Sequence, residues 1–282
     1  MWGLLLLLPL LPTSCVAWAQ TAPMAVQGHL LASKAYAEAG DAAHAVAEAE
    51  AALAIDPRSE AAHLQLGQIF LSNHTPAAAR DIFAEALVLF PESFLLRLGE
   101  GLALSELQRY DEAARALRRC LAMQPSSGIA FDALGTVLLH SSDFEGLLRE
   151  AEEYRRRNPA DYRGAYYAAA ARDGLRLPDG PTLALLEQSI EISPGFAAAY
   201  GLKGKVLLRQ GSLPEAVTAL ERAVALRRDH VPSHMALANA YRKSGRDAEA
   251  AREFQTVREL NEAQRIPPPS LVYHRGNGPA RP

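Results

Sequence analysis

The sequence predicts an all-α repeat protein, and three observations carry that expectation. Proline occurs at Pro57, Pro91, Pro125 and Pro159, each 34 residues after the one before, and again at Pro194 after 35. Counting each proline as position 32 of a unit, position 8 is always small: Ser33, Gly67, Gly101, Gly135, Ala170, Gly204 and Ala238. Larger apolar residues recur at position 11 (Tyr36, Phe70, Leu104, Leu138, Leu207, Tyr241) and position 24 (Phe83, Leu117, Leu186, Leu220, Phe254). Their spacing of three, four and seven within each segment is that of a helix, and a fixed period of this length marks an array of supersecondary units.

The elements follow in chain order. Leu4 to Leu11 are leucines interrupted by Pro9, and Ala17-Trp18-Ala19 follows before Gln20. This predicts a signal peptide over 1–19, cut near Ala19 and leading to export into a periplasm or the medium. The apolar run is about half of the roughly 18 residues a membrane span requires, so no transmembrane span is expected. No leucine-like residue stands three positions before Cys15, so no lipid anchor is expected there. Residues 20–25 then read as a short linker. Seven units begin at Val26, Glu60, Phe94, Gly128, Arg163, Ala197 and Val231 and fill residues 26–264. The fifth contains one extra residue and the stretch Gly174–Gly180, whose glycines and Pro178 end a helix and open a longer loop. After Gln264, Pro267-Pro268-Pro269 cannot continue a helix, and residues 265–282 read as a flexible Pro/Gly-rich tail.

These positions resemble the tetratricopeptide repeat, whose 34-residue signature is W-x2-L-G-x2-Y, then A-x3-F, then P. The second unit carries it most fully, in Leu66-Gly67, Phe70, Ala79, Phe83 and Pro91, and the sixth in Tyr200, Gly204, Gly211, Ala216 and Leu220. The tryptophan of position 4 is replaced by His29, His63, Arg97, Phe131, Tyr166, Tyr200 and His234. The resemblance implies an α-solenoid of about seven helix-turn-helix units, wound as a right-handed superhelix with first helices on the concave side. Neither helix of a pair hides its apolar face alone, and stacking on the next pair supplies the burial.

Composition narrows the function classes. The 282 residues carry 32 Asp+Glu against 29 Lys+Arg, a net charge of −3, so nothing draws the chain to nucleic acid. Acidic residues gather in 1–161, which sum to −8, and basic ones in 162–282, which sum to +5. Two cysteines build no disulfide framework, and Cys120 sits at a repeat position reserved for small buried side chains. His29, His63 and His234 recur because they share position 4, where neighbouring units stand on the order of 10 Å apart, far beyond metal-bond lengths near about 2 Å. No metal site or cofactor is expected. The phosphate-loop, dinucleotide, zinc-protease and nucleophile-elbow signatures are absent, so no catalysis is expected.

Function then falls to the groove. The resemblance places partners against positions 2, 5, 9, 12 and 13 of the first helices. Candidate contact residues are Lys34, Gln68, Leu98, Leu102, Asp132, Thr136, Tyr167, Lys205, Arg209, Asn239, Arg242 and Lys243, with Leu95, Ile129 and Met235 at equivalent positions. The first part is apolar and the last basic, which suits a protein or peptide with an apolar segment and an acidic or carboxylate-bearing end. Two readings from other classes stay open. One is a structural subunit joining a larger complex through its outer surface or ends, its groove unused or filled by its own tail. The other is an enzyme subunit with its site in the irregular fifth unit.

Overall fold

The computed structural model describes residues 13–264, with side chains for 23–263. Residues 1–12 of the expected signal peptide, and the expected tail from 265, lie outside the described residues. Within them there are fourteen helices and no strand: α1 (Thr13–Glu38), α2 (Ala42–Ile55), α3 (Glu60–Ser72), α4 (Pro76–Leu89), α5 (Phe94–Glu106), α6 (Tyr110–Met123), α7 (Gly128–His140), α8 (Phe144–Arg157), α9 (Tyr162–Gly174), α10 (Asp179–Ile192), α11 (Ala197–Gln210), α12 (Leu213–Leu226), α13 (Val231–Lys243) and α14 (Asp247–Gln264). They pair as seven helix-turn-helix units of an all-α solenoid. Helix α1 starts at Thr13, so the stretch 20–25, expected as a linker, is helical.

Local chemistry explains the boundaries. Ser59, Ser93, Ser127 and Asp161 stand 34 residues apart, and each accepts a backbone N–H of the first turn that follows, at 3.3, 3.3, 3.4 and 3.0 Å. Such caps satisfy amides that a helix start leaves without a partner. The turn inside each pair passes through a left-handed residue at position 15: Gly40, Gly211 and Gly245 in three units, but His74, Gln108, Ser142 and Arg176 in the others. The cap at Asp161 and the turn at Arg176 both place the start of the fifth unit at Tyr162. Its extra residue therefore lies in the connection 175–178, and α9 runs one position earlier than the proline count implies.

The described chain forms two compact units, 13–103 and 104–264, with the boundary inside α5. In the first, α1 packs on α2, α2 on α3 and α3 on α4, and α1 also touches α3. In the second, each helix from α6 to α14 packs on the next, and α7, α9, α11 and α13 touch in succession. The backbones of successive second helices stand farther apart within either unit, and long side chains bridge them, as Arg118 of α6 to Glu150 of α8 at 2.7 Å and Arg155 of α8 to Gln188 of α10 at 3.3 Å. Each stack is thus tighter on its first-helix side, which becomes its inner face.

Close approach depends on the small residue at position 8. The Phe83 ring lies against both Gly67 and Gly99, where a Cβ would come within 2.4 and 2.5 Å of it. Leu220 covers Gly204 in the same way. In the fourth unit position 24 is only Ala151, and the space over Gly135 is filled instead by Tyr167 of the next pair. Phe131 stacks on Tyr154 with ring centroids 3.8 Å apart and meets Tyr167 edge-on at 5.5 Å. Cys120 is fully buried, as its repeat position implies. Replacing Gly67 with Ala should destabilise the first unit by about 1–3 kcal/mol, the usual range for overpacking. Urea denaturation checks this, and an unchanged midpoint would contradict the packing described.

Candidate peptide-binding faces

In the first unit, α1 and α3 border a cleft of about 530 Å³ whose lining includes Lys34, Gln68, Gln65, Ser72 and Asn73. The structure therefore brings together two candidates that the sequence holds 34 residues apart. Lys34 lies 3.8 Å from Glu38, and both side chains are about 70% exposed, so this pair contributes little and leaves the ammonium available. Gln65 is committed inward, donating from Nε2 to the Leu30 carbonyl at 2.9 Å. Leu95 and Leu102 stand out from α5, 51% and 38% exposed. Leu98 corrects the expectation: it is only 6% exposed and belongs to the interior. Position 5 lies at the seam between neighbouring first helices, where Leu30 and Leu64 are also half-buried.

In the second unit several candidates are bound to each other. Asp132 on α7 accepts from Arg163 Nε on α9 at 2.7 Å, and the guanidinium also reaches Asp161 at 3.1 Å and lies over the Tyr162 ring. Burial is the largest influence on the Arg163 charge and opposes it, but the hydrogen bond to Asp132 together with the negative charges of Asp132 and Asp161 outweighs it and holds the pKa above the ordinary value. Tyr167 donates to the Asp132 carbonyl at 3.0 Å and lies 3.4 Å from Thr136 Oγ1. Being 5% exposed, it is core and not a groove contact. The cause is the shift of α9: Tyr167 stands at position 6, which faces the neighbouring pair, and not at position 5. Thr136 itself stays exposed.

The expected basic end divides in two. Lys205 and Arg209 on α11 both grip Asp173 of α9, Lys205 at 2.8 Å, and Arg209 also holds Asp179 at the start of α10. Asp173 is 4% exposed. Burial penalises its charge, but the hydrogen bonds from Lys205 and Arg209 more than offset this and lower its pKa. These two cations are therefore substantially neutralised from within and fix α11 against α9. Arg242 and Lys243 on α13 remain exposed, Arg242 donating to Asn239 at 3.1 Å and lying over the Phe254 ring. Asn239 in turn donates to the Met235 carbonyl. Ile129 and Met235 are 60% and 39% exposed.

Sequence reasoning missed Asp173. An aspartate just beyond the run Ala168–Ala171, in a unit whose loop is already irregular, was the available signal. The position-4 histidines have structural partners: His29 meets Glu48 and His234 meets Glu253, each at 2.6 Å, and His63 meets the Ser59 carbonyl at 2.9 Å. No cluster of three or more metal-ligating side chains occurs among the described residues, and no helix there is long and apolar enough to cross a membrane.

Sequence profiles decide the family. The tetratricopeptide repeat profile matches residues 30–94, 98–162, 183–230 and 202–265. The chain belongs to the tetratricopeptide repeat family. A tetratricopeptide repeat protein from Parabacteroides merdae superposes with a TM-score of 0.68 at 14% identity, covering 84% of this chain and 93% of the other. PilF of Pseudomonas aeruginosa does so with 0.58 at 20% identity, over 76% and 96%. Protein FlbA of Caulobacter vibrioides is 31% identical over 142 residues, which are 50% of this chain and 24% of FlbA. The tetratricopeptide fold is a scaffold for contacts between proteins, with its first helices turned to the inner face.

Replacing Asp173 with Asn should destabilise the second unit by roughly 1–3 kcal/mol, because two cations lose their charged acceptor. A carboxylate with a lowered folded-state pKa contributes fully above the ordinary aspartate value near about 3.9 and loses that contribution as pH falls through the lowered value. The gap between wild type and variant in thermal denaturation should thus be full at neutral pH and close in acid. A gap independent of pH would contradict the ion-pair account.

Proposed function

We propose that this chain is a non-catalytic scaffold that binds a protein or peptide along the inner, first-helix faces of its tetratricopeptide stacks. The observation that carries the reading is the placement of exposed apolar side chains. Leu95, Leu102, Ile129 and Met235 all stand at groove positions of first helices, whereas, among the described residues beyond α1, Val88 is the one large apolar side chain exposed on a second helix; Met24 and Leu31 stand apart, on the outer face of α1. Uncompensated apolar surface concentrated on one face marks an interaction site. The cleft beside Lys34 and Gln68 adds polar groups that orient a ligand. Arg242 and Lys243 supply positive charge for an acidic or carboxylate-bearing end.

The partner is met outside the cytoplasm, in a periplasm or the medium. The leucine run and the Ala17-Trp18-Ala19 site support this, and so does Pro23. That proline lies inside α1, where a ring costs a hydrogen bond. In a chain cut after Ala19 it falls within the first four residues, whose amides have no helical partner in any case.

A capture experiment tests the binding reading. The purified chain and a variant with Leu95, Ile129 and Met235 changed to Glu are compared on extract from the producing cell, with Val88→Glu as control. Capture should fall at least tenfold in the triple variant and persist in the control, circular dichroism being unchanged. Equal capture by all three would contradict the inner-face assignment. An Arg242→Glu/Lys243→Glu variant should weaken binding of a peptide with an acidic end more than that of its amidated, neutral counterpart.

A further inference from the structure

The outer face of α1 is distinct from the groove. Met24, Gly28, Leu31 and Ala35 follow one another at intervals of four, three and four residues, the spacing of a two-helix seam. Met24 is 75% and Leu31 63% exposed. A Cβ built on Gly28 meets nothing within 4 Å, and Ala35 is exposed. Gly28 and Ala35 occupy positions 3 and 10 of their unit. In later pairs the same positions are buried beneath the preceding second helix, as at Ala62 and Ile69, Ala199 and Val206, or Ala240, all between 0 and 4% exposed. The first pair has no preceding helix among the described residues, so a surface of the same chemistry as the inter-repeat interface stands open.

We propose that a second copy of this chain covers it, the two α1 helices packing antiparallel about a two-fold axis. The stripe is complementary to itself in that direction. With Leu31 set opposite Gly28 of the other copy, Met24 falls opposite Ala35, so each large side chain meets a small one and the helices approach closely. The charges agree. Lys34 falls opposite Ala25 and Glu38 opposite Thr21, whereas parallel pairing in register sets Lys34 against Lys34 and Glu38 against Glu38. A head-to-tail contact with α14 fits less well. The positions of α14 that correspond to the stacking residues Val217, Leu220 and Val224 of α12 are Ala251, Phe254 and Arg258, and there Phe254 is already under Arg242 while Arg258 is exposed. Among the described residues, one end of the array is apolar and open, and the other is polar.

Because a two-fold interface is isologous, the assembly closes at a dimer, and it leaves the groove positions of α3 and of the later first helices free. Sedimentation velocity on the full chain over a range of concentrations tests it. The wild type should sediment as a dimer, and Leu31→Glu should raise the dimer dissociation constant at least tenfold. Met24→Ala and Ala35→Met should each weaken the dimer, the first by leaving a void and the second by setting Met against Met. The double variant Met24→Ala/Ala35→Met exchanges the large and small members of the pair and should restore it. Circular dichroism separates these effects from unfolding. A monomer at every concentration, association unchanged by Leu31→Glu, growth beyond a dimer, or failure of the double variant to recover would each overturn the proposal. None of these outcomes bears on capture by the inner face, so the two readings fail separately.

Discussion

A pair of antiparallel helices is too thin to bury its own apolar stripe, so its two helices close on each other at a distance set by position 8 and the next pair completes the burial. Where that position is Gly67 or Gly204, a Phe83 or Leu220 side chain lies directly on the helix backbone. The consequences spread from this contact. Within each unit, close packing leaves the backbones of first helices touching their successors while those of second helices stand farther apart, and that asymmetry gives each unit an inner face. On these inner faces Leu95, Leu102, Ile129 and Met235 remain exposed to water.

Much of this was legible in the sequence because repetition multiplies a weak signal. A single small residue says little, but seven at one position fix the register, and the helix ends follow from caps spaced by the same period. The fifth unit shows the limit. Counting from its proline displaced α9 by one residue, which moved Tyr167 from a packing position to a groove position. The caps at Ser59, Ser93, Ser127 and Asp161 held the correction, since a helix start is fixed by its own capping residue and not by a proline beyond the following helix. Leu98 was misplaced for another reason. Position 5 lies at a seam, and whether it is open depends on how closely two first helices approach, which no local pattern encodes.

Charge was the least legible property. Lys205, Arg209, Arg242 and Lys243 look equivalent in the sequence, yet the first two are consumed by Asp173 and Asp179. Burying Asp173 requires compensation, and the two cations of α11 supply it while locking an irregular unit to its neighbour. Arg163 performs the same service between α7 and α9 through Asp132 and Asp161. The inner face of the second unit therefore offers fewer free charges, and relatively more apolar surface, than the residue count suggests.

The central claim is that the inner face, and not the outer one, meets the partner. Its most direct test is site-specific photo-crosslinking in the producing cell, with the photoreactive residue placed singly at Leu102, Ile129 and Val88. The account predicts that Leu102 and Ile129 yield adducts with the same foreign protein and Val88 yields none. Adducts from Val88 alone would contradict it and transfer the interface to the second helices.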